Sequence, residues 1–123
     1  MTDMTKALVV EDNPLNMELV LEMLDAKGFT AEGAMTGEDA IIKAEKEVYD
    51  VVLTDIGLPG IDGIEVAKII KNKPGYETTP MIAFTAYATT EDKNRFLAAG
   101  FDDYIPKPVD VIEFMKKMDK YKR

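Results

Sequence analysis

Ala7-Leu8-Val9-Val10-Glu11-Asp12-Asn13-Pro14 passes from an apolar run to two adjacent acids and on to a helix start within eight residues. A short, uninterrupted apolar run ending in turn chemistry predicts a strand buried on both faces, which is the mark of a parallel sheet covered by helices. Asn13 suits the cap position of the following helix, and Pro14 suits its first turn, where the N–H that proline lacks would go unpaired anyway. Gly28 supplies the stop. On the helix between them, Leu19, Val20, Met23 and Leu24 share one face expected to pack on the sheet, while Met17 and Leu21 are expected to rotate away from it.

The same alternation of short apolar run and amphipathic segment recurs along the chain. Strands are predicted at residues 7–10, 29–33, 51–53, 81–84 and 103–105, and the later helices near 38–47, 64–72, 91–99 and 109–120. Repeated strand–helix units imply a parallel sheet with right-handed crossovers. The expected fold is therefore α/β: a doubly wound five-stranded parallel sheet, order 2-1-3-4-5, with five helices. The 123 residues fit one domain spanning 1–123 with one core.

Composition narrows the chemistry. The chain has no Cys, which excludes disulfides, thiolate metal sites and cysteine nucleophiles, and no His, which excludes an imidazole base or phosphocarrier. No apolar run reaches the roughly 18 residues a membrane span needs, and the first residues carry no signal-peptide pattern, so the expected compartment is the cytoplasm, away from membranes. The net charge of −8 is uneven: residues 1–65 hold 15 acids against 4 bases, and residues 66–123 hold 8 acids against 11 bases. Without a basic patch interleaved with aromatics, direct nucleic-acid binding is not expected. The basic cluster Lys116, Lys117, Lys120, Lys122 and Arg123 reads as a complement to the C-terminal dipole of the last helix.

In an open parallel sheet, ligands bind outside the carboxyl ends of the strands where strand order reverses, here between strands 1 and 3. Glu11 and Asp12 follow strand 1, and Asp55 follows strand 3. Three carboxylates meeting in a crevice repel one another and call for a cation. An all-oxygen ligand set with too few carboxylates to form a cage points to Mg²⁺ or Mn²⁺, with Asp12, Asp55 and the Gly57 carbonyl as ligands. Thr85 and Lys107, at the ends of strands 4 and 5, add a hydroxyl and an ammonium. Such a set suits phosphoryl transfer onto a carboxylate.

The motifs Val9-Val10-Glu11-Asp12-Asn13, Asp55-Ile56-Gly57-Leu58-Pro59-Gly60-Ile61-Asp62-Gly63, Phe84-Thr85-Ala86 and Tyr104-Ile105-Pro106-Lys107-Pro108 together resemble the receiver domains of two-component response regulators, over residues 6–121. The resemblance implies a flavodoxin-like receiver fold and a phosphoryl group accepted on Asp55 from a histidine kinase or histidine phosphotransfer protein. It implies Glu11 and Asp12 as the acid pair, with Asp12 the more direct Mg²⁺ ligand, Gly57 as the carbonyl ligand, and Thr85 and Lys107 on the phosphoryl group. A cis Lys107–Pro108 bond is implied too.

Further implications are a switch in which Thr85 and Tyr104 remodel the helix 4–strand 5–helix 5 face, and a downstream protein target. The chain would be a signalling switch that assists its own phosphorylation, not an enzyme acting on others, and a monomer or weak dimer. Two positions that tune phosphoryl lifetime in the family are Gly57 and Tyr87, and they predict slow self-dephosphorylation. The Asn13-Pro14-Leu15-Asn16 opening resembles phosphorelay and single-domain receivers, with Met17 and Leu21 as the expected docking patch. A flavodoxin-like electron carrier would need a phosphate cradle where Glu11-Asp12 stands, and a Toprim-like enzyme would need an acid at Gly57. A degenerate, interaction-only receiver would not need Asp55, Thr85 and Lys107 together.

Overall fold

The computed structural model describes residues 5–86 and 89–122. Its elements are β1 (Thr5–Val10), α1 (Pro14–Ala26), β2 (Phe29–Ala34), α2 (Gly37–Lys46), β3 (Val51–Asp55), α3 (Gly63–Lys71), β4 (Met81–Thr85), α4 (Thr90–Ala98), β5 (Asp103–Pro106) and α5 (Val111–Met118), with a 3₁₀ turn over Asp119–Tyr121. All strand pairs are parallel and the order is β2-β1-β3-β4-β5, as the alternating pattern predicted.

Two apolar layers sandwich the sheet. Leu8, Val10, Val52, Met81 and Ala83 point to the α2–α4 side, against Val66, Ile70, Phe96 and Phe101. Ala7, Val9, Val51, Leu53, Ile82 and Phe84 point to the other, against Val20, Met23, Leu24 and Phe114. Alternate residues of one strand thus serve opposite layers, which is why these strands are continuously apolar.

Helix 1 corrects the sequence reading. Met17 is buried, at 7% exposure, whereas Leu19 is 38% exposed. Residues 17, 20 and 24 fall at i, i+3 and i+7, so they form the inward stripe with Met23 beside it. The seat for Met17 is Gly33 on β2, where an added Cβ would lie 2.6 Å from the Met17 sulfur. Leu21 is half-buried against the same layer.

Helix 5 is shorter than predicted. Asp110 accepts from the Glu113 N–H and caps the helix, so Val109 lies outside it. Beyond Met118 the chain tightens into the 3₁₀ turn.

Candidate functional site

The strand ladder runs one residue beyond several strand ends and so fixes what projects there. Glu11 N–H donates to the Ala34 carbonyl at 3.1 Å, Ile56 N–H to Phe84 at 3.1 Å, and Lys107 N–H to Thr85 at 2.8 Å. Asn13 then turns the chain into α1, its side chain accepting from the N–H groups of Leu15 and Asn16. Between the last ladder bond and this cap, Glu11 and Asp12 have no freedom to leave the carboxyl edge.

The β3–α3 loop is held as tightly. Asp62 caps α3 by accepting from Glu65 N–H, and Gly63 N–H returns to the Ile56 carbonyl at 3.1 Å. A Cβ on Gly63 would lie 2.0 Å from the Asp55 carbonyl oxygen, so only glycine lets α3 start this close to the strand.

These constraints gather four charged groups. Oxygens of Glu11, Asp12 and Asp55 lie within 4.8 Å of one another. Lys107 Nζ donates to Asp55 Oδ2 at 2.6 Å and to Glu11 Oε1 at 2.8 Å. The other Asp55 oxygen accepts from Gly57 N–H at 3.0 Å, and the second Glu11 oxygen faces Asn13 N–H at 3.4 Å. Glu11 is 2% exposed and Asp55 8%, while Asp12 is open to solvent. Thr85 is buried at the end of β4, beside Pro106 in register. The Lys107–Pro108 peptide is cis.

Environment separates the two buried acids. Burial pushes the Glu11 carboxyl up, and its contact with Asp55 adds to this; Lys107 opposes both without cancelling them. Burial pushes Asp55 up as well, but hydrogen bonds from Lys107, Glu11 and Gly57 outweigh it and hold the carboxyl below its ordinary value. Burial would lower Lys107, yet Asp55 and Glu11 together raise it, so the ammonium keeps its charge. The same cluster thus shifts the two carboxyls in opposite directions, Glu11 up and Asp55 down.

One ammonium against three carboxylates leaves the cluster anionic. The donor set is all hard oxygen, on a chain without His or Cys, and this fits a small divalent ion better than a soft metal.

Tyr104 is half-buried on β5 and packs against the α4-side layer. The ammonium groups of Lys93 and Lys117 each lie 4.9 Å from its ring centroid. Lys117 also donates to the Tyr104 carbonyl at 2.7 Å and pairs with Asp103 at 3.0 Å, so it does more than complement a helix dipole. Sequence reasoning passes over Lys93, which belongs to no motif, and reads Lys117 only as part of the basic cluster at the end of the last helix. Tyr87 lies outside the described residues. Among the described residues, the Asp55 carboxylate is what lies near the Cβ direction of Gly57, at 3.8 Å.

The family model for the response regulator receiver domain matches residues 7–119. The chain belongs to this family. Among relatives of the receiver, the polar-differentiation response regulator DivK of Brucella ovis is 36% identical over 119 residues, covering 96% of this chain and 97% of that protein. The receiver superposes on the chemotaxis response regulator CheY4 of Vibrio cholerae with a TM-score of 0.92, at 28% identity, covering 97% and 99% of the two chains. The receiver domain of the sensor histidine kinase PA1611 of Pseudomonas aeruginosa PAO1, solved with a magnesium ion coordinated in its active site cleft, gives 0.86 at 32% identity, covering 97% and 98%. The protein is thus a two-component signalling receiver with the acidic pocket intact, and among the described residues no helix is long and apolar enough to cross a membrane.

Proposed function

We propose that this receiver, acting as one domain over residues 1–123 in the cytoplasm, accepts a phosphoryl group on Asp55 from the phosphohistidine of a kinase or phosphotransfer protein. The observation that carries the reading is the triad of carboxylates within 4.8 Å, with Lys107 anchored to Asp55 at 2.6 Å. An Asp55 carboxylate oxygen forms the new P–O bond while the P–N bond to the donor imidazole breaks and the imidazole leaves with the electron pair. Glu11, Asp12, Asp55 and the Gly57 carbonyl would hold Mg²⁺, which when bound offsets the charge of the carboxylates and of the incoming phosphoryl oxygens.

Lys107 orients the acceptor before transfer and offers its ammonium to the phosphoryl oxygens afterwards. Thr85, next to Lys107 at the strand ends, donates its hydroxyl to the same oxygens. Its inward movement opens space for Tyr104, and the α4–β5–α5 face changes shape for a downstream protein. Gly57 offers no side chain to aim a hydrolytic water, so the phosphoryl group is lost slowly. The donor's helices would dock on α1 through Leu15, 76% exposed, and Leu19, in place of Met17, which is buried under them.

The test is incubation with a phosphorylated histidine kinase or a small-molecule phosphodonor plus Mg²⁺, read by intact mass. Wild type gains one phosphoryl group and Asp55→Asn gains none. Equal labelling of the two would defeat the proposal.

A further inference from the structure

Tyr104 carries two ammonium groups over one ring, and each lysine has a tie to that residue that its own helix does not explain. Lys93 stands in the first turn of α4, where a cation is disfavoured by the helix dipole and Glu91 and Asp92 are the residues that suit the position. Lys117 is held by the Tyr104 carbonyl and by Asp103, and those bonds deliver its charge to the ring of the same residue. A cation over an aromatic face is attracted by the ring quadrupole, and here one cation comes from α4 and the other from α5.

We infer that Lys93 and Lys117 are positioning residues that hold the Tyr104 ring in its resting place. This rests on the proposed coupling of Thr85 to Tyr104. A ring that moves toward Thr85, two register positions further along the sheet, leaves both ammonium groups behind. The two contacts therefore load the balance toward the resting state and set how strongly the acceptor site must be engaged before the face changes. A cation–π contact at a partly exposed site corresponds to about a two- to fivefold bias, and a bias against the competent state raises the apparent dissociation constant by the same factor.

The test uses the full chain labelled with 3-fluorotyrosine, with Tyr104→Phe assigning its ¹⁹F resonance among the five tyrosines. Beryllium fluoride, a phosphoryl mimic for Asp55, is titrated in Mg²⁺. Lys93→Met is expected to shift the Tyr104 resonance in the ligand-free chain and to lower the half-saturating beryllium fluoride about two- to fivefold. Lys93→Arg, which keeps a cation, returns both to the wild-type values. Lys93→Met with Lys117→Met lowers half-saturation roughly tenfold.

Lys117 also bonds backbone, so Lys93→Met carries the decision if the double variant melts early. An unmoved resonance and unchanged half-saturation in Lys93→Met overturn the clamp while the wild-type response stands. A wild type whose Tyr104 ignores beryllium fluoride that has bound overturns the switch and the clamp together, and one that binds none overturns the phosphoryl-acceptor reading and both with it.

Discussion

The two ends of the sheet hold their buried polar groups differently. At the amino ends of the strands, the side chains of Tyr76, Lys71, Asp102 and Asp50 are tied to backbone. The Tyr76 hydroxyl donates toward the Ala44 and Glu47 carbonyls and accepts from Tyr49 N–H; Lys71 donates to the Thr79 carbonyl; Asp102 and Asp50 accept from Met81 and Lys6 N–H. Such bonds close loops against strands and leave little to rearrange. At the carboxyl ends, Glu11, Asp55 and Lys107 are tied chiefly to one another, with Asp12 at the rim. Charges satisfied by charges can be re-partnered when a new ion or anion arrives, and that difference separates a fixed floor from a reactive roof.

The largest break in this contrast is expected from Lys107→Met, which leaves Glu11 and Asp55 facing each other without a counter-charge. Chemical denaturation in a chelator should show a loss of about 2–4 kcal/mol. Mg²⁺ should restore much of it by supplying the missing positive charge. A variant as stable as wild type in chelator would mean that the roof does not depend on its ammonium.

Gly63→Ala presses a methyl group onto the Asp55 carbonyl. A cost of about 2–3 kcal/mol, together with slower phosphoryl labelling, is expected because the backbone under the acceptor must shift. Stability loss with unchanged labelling would show that the acceptor tolerates the displacement. On the floor, Tyr76→Phe should cost about 1–2 kcal/mol through the carbonyls and N–H it leaves unpaired, and labelling should proceed at the wild-type rate. Slowed labelling would erase the division between the two ends.

The smallest effect is a pH dependence. Burial pushes the Asp103 carboxyl up, but Lys117, Tyr104 N–H and Tyr121 outweigh burial and hold it below its ordinary 3.8. A depressed folded-state value means stability that is fully present above the unfolded value and lost as pH falls through the folded one. Asp103→Asn should therefore cost about 1 kcal/mol at neutral pH, and the gap to wild type should narrow below pH 3.8. Glu11, pushed up mainly by burial, has the opposite sign, so its contribution is favourable below the unfolded value and is lost as pH rises through the folded one. Denaturation midpoints across acid pH check both slopes.

What could be read from residues alone followed the strength of local signals. Continuous apolar runs bounded by acids, Pro and Gly mark the strands, the usual doubly wound topology orders them, and the rule about carboxyl edges brings Glu11, Asp12, Asp55, Thr85 and Lys107 to one place. Helix 1 resists such a reading because apolar side chains occur nearly all round it, at Leu15, Met17, Leu19 and Leu21, so the wheel alone does not rank them. What settles Met17 is the missing side chain of Gly33, on the following strand β2. Asp110 was passed over as a cap because Val109 before it suits an apolar stripe equally well. The Tyr76 floor and the lysines around Tyr104 depend on contacts across 13 to 32 positions or on rings facing ammonium groups, and no local pattern announces those.

The β3–α3 connection has both feet clamped, one by the Gly63–Ile56 bond and the other by the Asp55–Gly57 contact, while Pro59 and Gly60 at its crown are open to solvent. An arch of this kind accepts added length only at its top. Extra residues grafted between Pro59 and Gly60 would lift into solvent without disturbing the acceptor, whereas a single residue added at either foot would carry Asp55 or Gly57 out of alignment. A tag or a spliced recognition peptide therefore has one safe entry point beside the pocket.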